Sequence, residues 1–297
     1  MPPSPAIETI DNRTTASTAP GGAPTSAWYR RYGPWAVITG ASDGIGRAFA
    51  QDLARRGVHL VLVARRGALL AALADELRKA HGIECRVLVA DLAHAGGVRS
   101  VIDSTADLDV GLLVASAGFG TSGPLISSNP DVEREMLDVN CAAVLTLATH
   151  FGARLAARGR GGLVFLSSLL AFHGVPGAAH YAATKAYVQT LAEGLRAELA
   201  RSGVDVIASA PGPIRTGFAD RADLRMSLAL SPDVVARVTL AALGRRTTVR
   251  PGWLSKLLGW SLALLPRWGQ VMVITPIMKG MTAHQGTNEQ RAGPAPR

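Results

Sequence analysis

From Trp35 onward the chain alternates short, uniformly apolar runs with longer stretches of helical periodicity, and that alternation restricts the fold more than any single motif. The runs Trp35–Thr39, Val58–Val63, Glu84–Ala90, Gly111–Ala115, Leu163–Leu166 and Val204–Ser209 read as strands, with a short last one near Thr247–Arg250. Helices are expected near Ile45–Arg56, Gly67–Ala80, Val98–Ala106, Val132–Ala157, His180–Arg201 and Pro232–Ala242. Strands that are apolar at nearly every position belong to a parallel sheet covered on both faces. Strand–helix repetition with right-handed crossovers specifies a doubly wound α/β fold, here with about seven strands.

The content of the chain fits one such unit over 34–252. Hydrophobic residues make up 48% of its 297 positions and charged residues 18%, which is ample for a core. Residues 1–33 are rich in Pro, Ser, Thr, Ala and Gly and read as a disordered extension. The segment 253–297 reads as an amphipathic helical tail with a disordered end. Its Leu254, Leu257, Leu258, Leu262 and Leu265 recur at helical spacing, as in a core or subunit interface. The rival is an interfacial membrane helix, with Trp253, Trp260, Lys256 and Arg267 near the headgroups.

Lys+Arg 31 against Asp+Glu 22 leaves +9, which suits a basic surface or an anionic ligand such as a phosphorylated cofactor. No long Lys/Arg block with interleaved aromatics points to nucleic acid. Cys85 and Cys141 sit in apolar surroundings with no partner at metal-ligand spacing, so buried, reduced side chains and no metal are expected. With no signal-peptide pattern and no apolar run of roughly 18 residues, the expectation is a soluble, cytoplasmic protein.

The first strand runs into Thr39-Gly40-Ala41-Ser42-Asp43-Gly44-Ile45-Gly46 and then a helix. Glycines there permit a tight turn and close backbone approach to a pyrophosphate, and the helix start offers N–H groups and a positive dipole end. This is the dinucleotide-binding arrangement of a Rossmann fold. The second strand ends in Arg65-Arg66, where an NAD site carries an acid for the ribose 2′-hydroxyl. Two guanidinium groups suit a 2′-phosphate instead, so NADP(H) is expected over NAD(H), and Arg65→Asp should shift the preference. Asp91-Leu92 closes the third strand, where the acid either reaches the adenine amino group or caps the next helix. Ala117 and Gly118 follow the fourth strand at the same carboxyl edge.

Tyr181 and Lys185 stand at i and i+4, on one helical face, and Ser168 lies thirteen residues before the tyrosine, just past the fifth strand. A free phenol has a pKa of about 10, so proton exchange near neutrality requires about 4 kcal/mol of help. An ammonium at ~4 Å and an effective dielectric near ~20 supplies that much. Lys185 can also hold a nicotinamide ribose, and an oxidised nicotinamide adds a second positive charge. Ser168 would hydrogen-bond a substrate carbonyl and Tyr181 would protonate it as hydride arrives. Asn140 could hold a water behind Lys185, or serve as a structural amide. His173 and His180 flank the site, in substrate contacts or in loop and cap chemistry.

Together these residues resemble the short-chain dehydrogenase/reductase family, over roughly Trp35 to Gly252. The matches are Thr39–Gly46, Asp91, Asn140, Ser168, Tyr181, Lys185 and the Pro211-Gly212-Pro213-Ile214-Arg215-Thr216 stretch. The resemblance implies a Ser–Tyr–Lys–Asn tetrad, a Pro211–Thr216 segment bordering the nicotinamide (Pro211, Gly212, Ile214 and Thr216 among its contacts), a substrate loop after it, and a homodimer or homotetramer built on the helices at 132–157 and 180–201. Gly33–Thr39 with Asp43–Gly46 looks like the branch of ketosteroid and long-chain 3-oxoacyl reductases, and Ala117–Gly120 like its bacterial relatives. One departure stands out. The family has Asn-Asn-Ala-Gly after the fourth strand, where this chain has Ala115-Ser116-Ala117-Gly118, and Ser116 is expected to replace one lost hydrogen bond to the neighbouring strand. The leading expectation is an oxidoreductase for a small carbonyl/secondary-alcohol pair, apolar because Phe218–Leu230 and the leucine-rich tail would wall the pocket. The competing reading is a non-catalytic NADP(H)-binding sensor or scaffold, and retention of the whole tetrad speaks against it.

Overall fold

A computed structural model describes residues 26–214, 229–252, 265–276 and 280. Seven parallel strands form one sheet: β1 (Trp35–Thr39), β2 (His59–Ala64), β3 (Cys85–Val89), β4 (Val110–Ala115), β5 (Gly161–Leu166), β6 (Val204–Ser209) and β7 (Thr248–Val249). Their order is β3-β2-β1-β4-β5-β6-β7, so the winding reverses between β1 and β4 and opens a crevice at the carboxyl ends of those strands. Helices α2 (Gly44–Arg55), α3 (Gly67–His81), α4 (Ala95–Asp103), α5 (Pro130–Leu137), α6 (Ala143–Arg158), α7 (Ala179–Leu199) and α8 (Pro232–Ala242) supply the crossovers.

Alternate residues of each strand enter opposite cores. Ile38, Leu60, Leu62, Leu112, Val114 and Ile207 pack under α2, α3 and α8, whereas Val37, Val61, Val63, Leu113, Phe165 and Val206 pack under α4, α6 and α7. Two buried faces explain why the strands carry almost no polar residue.

The unstructured lead-in expected over 1–33 is too long. Ala27–Tyr32 forms a helix, α1, with Ser26 capping it by accepting from Tyr29 N at 3.1 Å. Tyr32 is buried and donates to Asp205 at 2.7 Å, and the Arg56 guanidinium lies over the Trp28 ring at 4.6 Å. The rest of that lead-in, the tail stripe at 254–262 and most of the loop at 218–230 lie outside the described residues. The last described helix, over 267–276, packs Ile274 against Val175, Ala178 and Ala182.

The single helix expected over 132–157 is two, joined by a π turn at Asp138–Ala142. By length and composition the run Pro130–Arg158 could cross a membrane. Here its apolar side, through Leu147, Phe151 and Leu155, packs on the sheet.

Candidate active site

The turn after β1 is shaped to its glycines. Gly40 has φ +70°, and a Cβ on it would stand 2.9 Å from the Ala117 backbone. A Cβ on Gly46 would strike the Gly40 carbonyl at 2.2 Å, so the α2 start can approach β1 only as glycine. Asp43 caps α2, its carboxylate accepting from Gly44 N at 2.7 Å, and the first-turn amides beyond, from Ile45 and Gly46, have no place in the helical ladder. This backbone cradle at a helix N-terminus fits a dinucleotide pyrophosphate.

Thr39 fastens the crevice floor. Its Oγ1 accepts from Ser116 N and Ala117 N, each at 3.1 Å, and Ser116 Oγ donates to the Thr39 carbonyl. Ser116 thus restores a bond to the neighbouring strand where the family pattern has an amide.

The two arginines after β2 part company. Arg66 reaches back over the turn, donating to Ser42 Oγ at 3.0 and 3.2 Å with Asp43 Oδ2 at 3.5 Å. Arg65 turns the other way, donating to Glu135 at 3.2 Å and standing 3.8 Å from Asp91. Asp91 also accepts from Ala93 N at 3.0 Å, a turn ahead of α4, whose N-cap is His94 and carries no side-chain cap bond, and Leu92 is buried behind it. Of the pair, Arg66 is the one placed at the phosphate cradle.

Ser168, Tyr181, Lys185 and Asn140 converge beyond the ends of β4 and β5. Ser168 leaves β5, begins the short turn Leu169–Phe172 with its Oγ accepting from Leu170 N at 3.2 Å, and lies near enough to the Tyr181 phenol to favour its ionised form. Lys185, one turn along α7, is buried with Nζ 5.8 Å from the Tyr181 ring centre, donating to the Leu166 carbonyl at 2.9 Å. Burial pushes the phenol up to about 12, although Ser168 pulls the other way. Burial likewise pushes the Lys185 ammonium down to about 8. The lowering of the phenol expected from an adjacent ammonium is therefore not seen: burial dominates, and Lys185 is not among the groups that shift it.

Asn140 lies in the π turn and is fully buried. Its Oδ1 accepts from Phe119 N at 3.2 Å, and its Nδ2 donates to the Phe119 carbonyl at 2.9 Å and to Thr184 Oγ1 at 3.0 Å. Thr184 in turn donates to the Tyr181 carbonyl at 2.8 Å. Asn140 thus ties the β4 loop to α7. A Cβ on Gly118 would stand 2.8 Å from Asn140 Oδ1 and 3.3 Å from Lys185 Nζ, so this position must be bare. The sequence marks Thr39 only as the start of the glycine-rich turn and gives Thr184 no role; a hydroxyl three residues after Tyr181 is the signal for the second.

The segment after β6 lies against the serine loop, with Leu169 N donating to the Pro211 carbonyl at 2.9 Å. Gly212 and Ile214 follow, Ile214 bridging to Leu230, while Thr216 lies outside the described residues. Both flanking histidines engage the protein through Nδ1: His180 with Glu133 at 2.6 Å and His173 with Gln270 at 2.8 Å.

The short chain dehydrogenase family model matches residues 34–226. A 7β-hydroxysteroid dehydrogenase of Clostridium sardiniense is 31% identical over 230 residues, 76% of this chain and 88% of that one. A very-long-chain 3-oxoacyl-CoA reductase-like protein of Arabidopsis thaliana is 30% identical over 245 residues, 80% and 78% of the two. The structure of a short-chain dehydrogenase from Sphingobium yanoikuyae in complex with NADPH superposes with a TM-score of 0.71 at 30% identity, covering 79% of this chain and 97% of that one. The glycine cradle, the Ser168–Tyr181–Lys185 cluster and these likenesses have one origin: the chain belongs to the short-chain dehydrogenase/reductase family and is an oxidoreductase.

Proposed function

We propose that the protein is an NADP(H)-dependent oxidoreductase that interconverts a carbonyl and a secondary alcohol, with Tyr181 as the general acid/base. The observation that carries this is the grouping of Ser168, the Tyr181 phenol and buried Lys185 at the carboxyl edge that also holds the glycine cradle. NADPH, when bound, supplies the hydride. This chain's residues handle the oxygen: Ser168 Oγ holds the substrate carbonyl, and the Tyr181 hydroxyl gives its proton to that oxygen. A phenol held at about 12 is fully protonated at physiological pH, the form a reduction needs. The reverse oxidation needs the phenolate and gains from rising pH. Lys185, still mostly an ammonium at pH 7, steadies the phenolate left after transfer.

Arg66 over Ser42 supports NADP(H) over NAD(H), because a 2′-phosphate can take the guanidinium donors that Ser42 now accepts. The hydroxysteroid and 3-oxoacyl relatives support an apolar, bulky substrate. Leu137 and Leu145 on α5–α6 and Tyr187 on α7 are exposed, which suits a homodimer or homotetramer on those helices. Contact of the tail with a membrane surface is compatible with exposed Trp268 and Met272.

The test is a panel of bulky ketones with NADPH and NADH. Wild type should turn over with NADPH preferred, Tyr181→Phe should lose at least about a hundredfold in kcat, and Arg66→Asp should erase the preference. Cofactor binding without turnover of any ketone would favour the scaffold reading, and a wild-type preference for NADH would sink the cofactor assignment.

A further inference from the structure

The carboxyl edge that carries Ser168 and Tyr181 holds another cation. Arg250 directly follows β7. Ala210 N donates to the Val249 carbonyl at 2.8 Å, and Leu169 N to the Pro211 carbonyl at 2.9 Å. These two bonds at 210–211 bring Arg250 beside the loop that leaves Ser168. There its guanidinium lies over the Phe172 ring, 4.4 Å from the centre. Its Nε is buried and has no hydrogen-bond partner. No carboxylate among the described residues closes on it, in contrast to Arg31, Arg86 and Arg158 at the opposite edge, which meet Asp205, Asp107 and Asp109.

A guanidinium stacked on an aromatic ring and stripped of water at Nε, with no counter-charge among the described residues, is a ready partner for an anion. The cofactor's phosphates do not reach it. Their cradle lies after β1 and β2, four and five strands from β7, on the order of 20 Å at ~4.8 Å per strand. A substrate held beside Ser168 is a source on this edge of the sheet, and one guanidinium matches a single negative charge.

We infer that Arg250 binds a carboxylate carried by the substrate, remote from the carbonyl that Tyr181 protonates. This rests on the carbonyl-reductase reading of the Ser168–Tyr181 site, and the test separates the two. The probes are a ring ketone bearing a side-chain carboxylate and its methyl ester, used with the full chain and NADPH. Wild type should favour the acid by about tenfold or more in kcat/KM, mostly through KM, the scale of one charge-assisted hydrogen bond. In Arg250→Met the acid/ester ratio should fall to near one, whatever happens to the ester rate, and Arg250→Lys should keep part of the preference. Arg250→Gln replaces Arg250→Met if that variant fails to fold. An unchanged ratio in the variants, or no preference in wild type, overturns the inference.

Calorimetric binding of the acid to the NADP+ complex reads the same contact without turnover. A binding loss in Arg250→Met with no ketone reduced by wild type would uphold the carboxylate site and overturn the reductase reading alone. Equal binding by wild type and variant would overturn the carboxylate site. Weaker NADPH binding by the variant, with acid and ester affected alike, would assign Arg250 to the cofactor and overturn it too.

Discussion

Lys185 shows what a buried ammonium costs the fold that houses it. Holding its ammonium near 8 instead of the ordinary 10.5 corresponds to about 3 kcal/mol of native-state penalty below pH 8. Between pH 8 and 10.5 the unfolded chain still binds the proton that the native state has released, so stability rises with pH across that window. Lys185→Met is therefore expected to be more stable than wild type at pH 7, by about 2 kcal/mol once the lost bond to the Leu166 carbonyl is deducted, and to be nearly inactive. The gap should close towards pH 10.5. Urea melts at pH 7 and pH 10 check this; a variant that is less stable at both refutes it. At this scale the sequence was most informative about identity and least about partners. Tyr181, Lys185 and Ser168 were legible from spacing, because a helical turn and a strand end have fixed geometry. That Arg66 and not Arg65 faces the cradle was not, because adjacent side chains after a strand diverge and their acceptors, Ser42 and Glu135, lie far off in sequence.

Among the elements, the π turn at Asp138–Ala142 links chemistry to packing most directly. It interrupts what would be one long helix at the residue whose amide joins Phe119 to Thr184. Asn140→Ala leaves those buried partners unsatisfied, so a loss of about 2–3 kcal/mol in stability is expected, together with a fall in kcat as α7 loosens against the β4 loop. Thermal melts and NADPH kinetics on one preparation read both; a stable variant with wild-type kcat would show that the tie is dispensable. Periodicity cannot reveal such a turn, since one displaced hydrogen bond barely disturbs an apolar pattern. Nor could it find α1. Six residues are too few to be helical on local propensity, and α1 exists through Tyr32–Asp205 and Arg56–Trp28 contacts. The strands were legible for the opposite reason: two covered faces leave a signature in every residue.

Across the whole molecule the two edges of the sheet divide the work. The amino edge is closed by ion pairs such as Arg31–Asp205 and Arg158–Asp109, whereas the carboxyl edge keeps the glycine cradle, the Ser168–Tyr181 pair and Arg250. The helix over 267–276 crosses to that functional edge, seating Ile274 among Val175, Ala178 and Ala182 and Gln270 on His173. Ile274→Asp puts a carboxylate into this cluster and should release the helix from the serine loop. The expected result is a fall in kcat/KM of at least about tenfold with less than about a twofold change in NADPH affinity, because the cradle lies several strands away. Equal losses in both would mean general unfolding. The Gln270–His173 contact spans 97 positions. During synthesis, a chain whose residue 270 is still inside the ribosome has already emerged with Ser168, Tyr181 and Lys185, yet the clamp on their loop is missing. Fastening of the serine loop therefore waits on a residue 97 positions further along the chain.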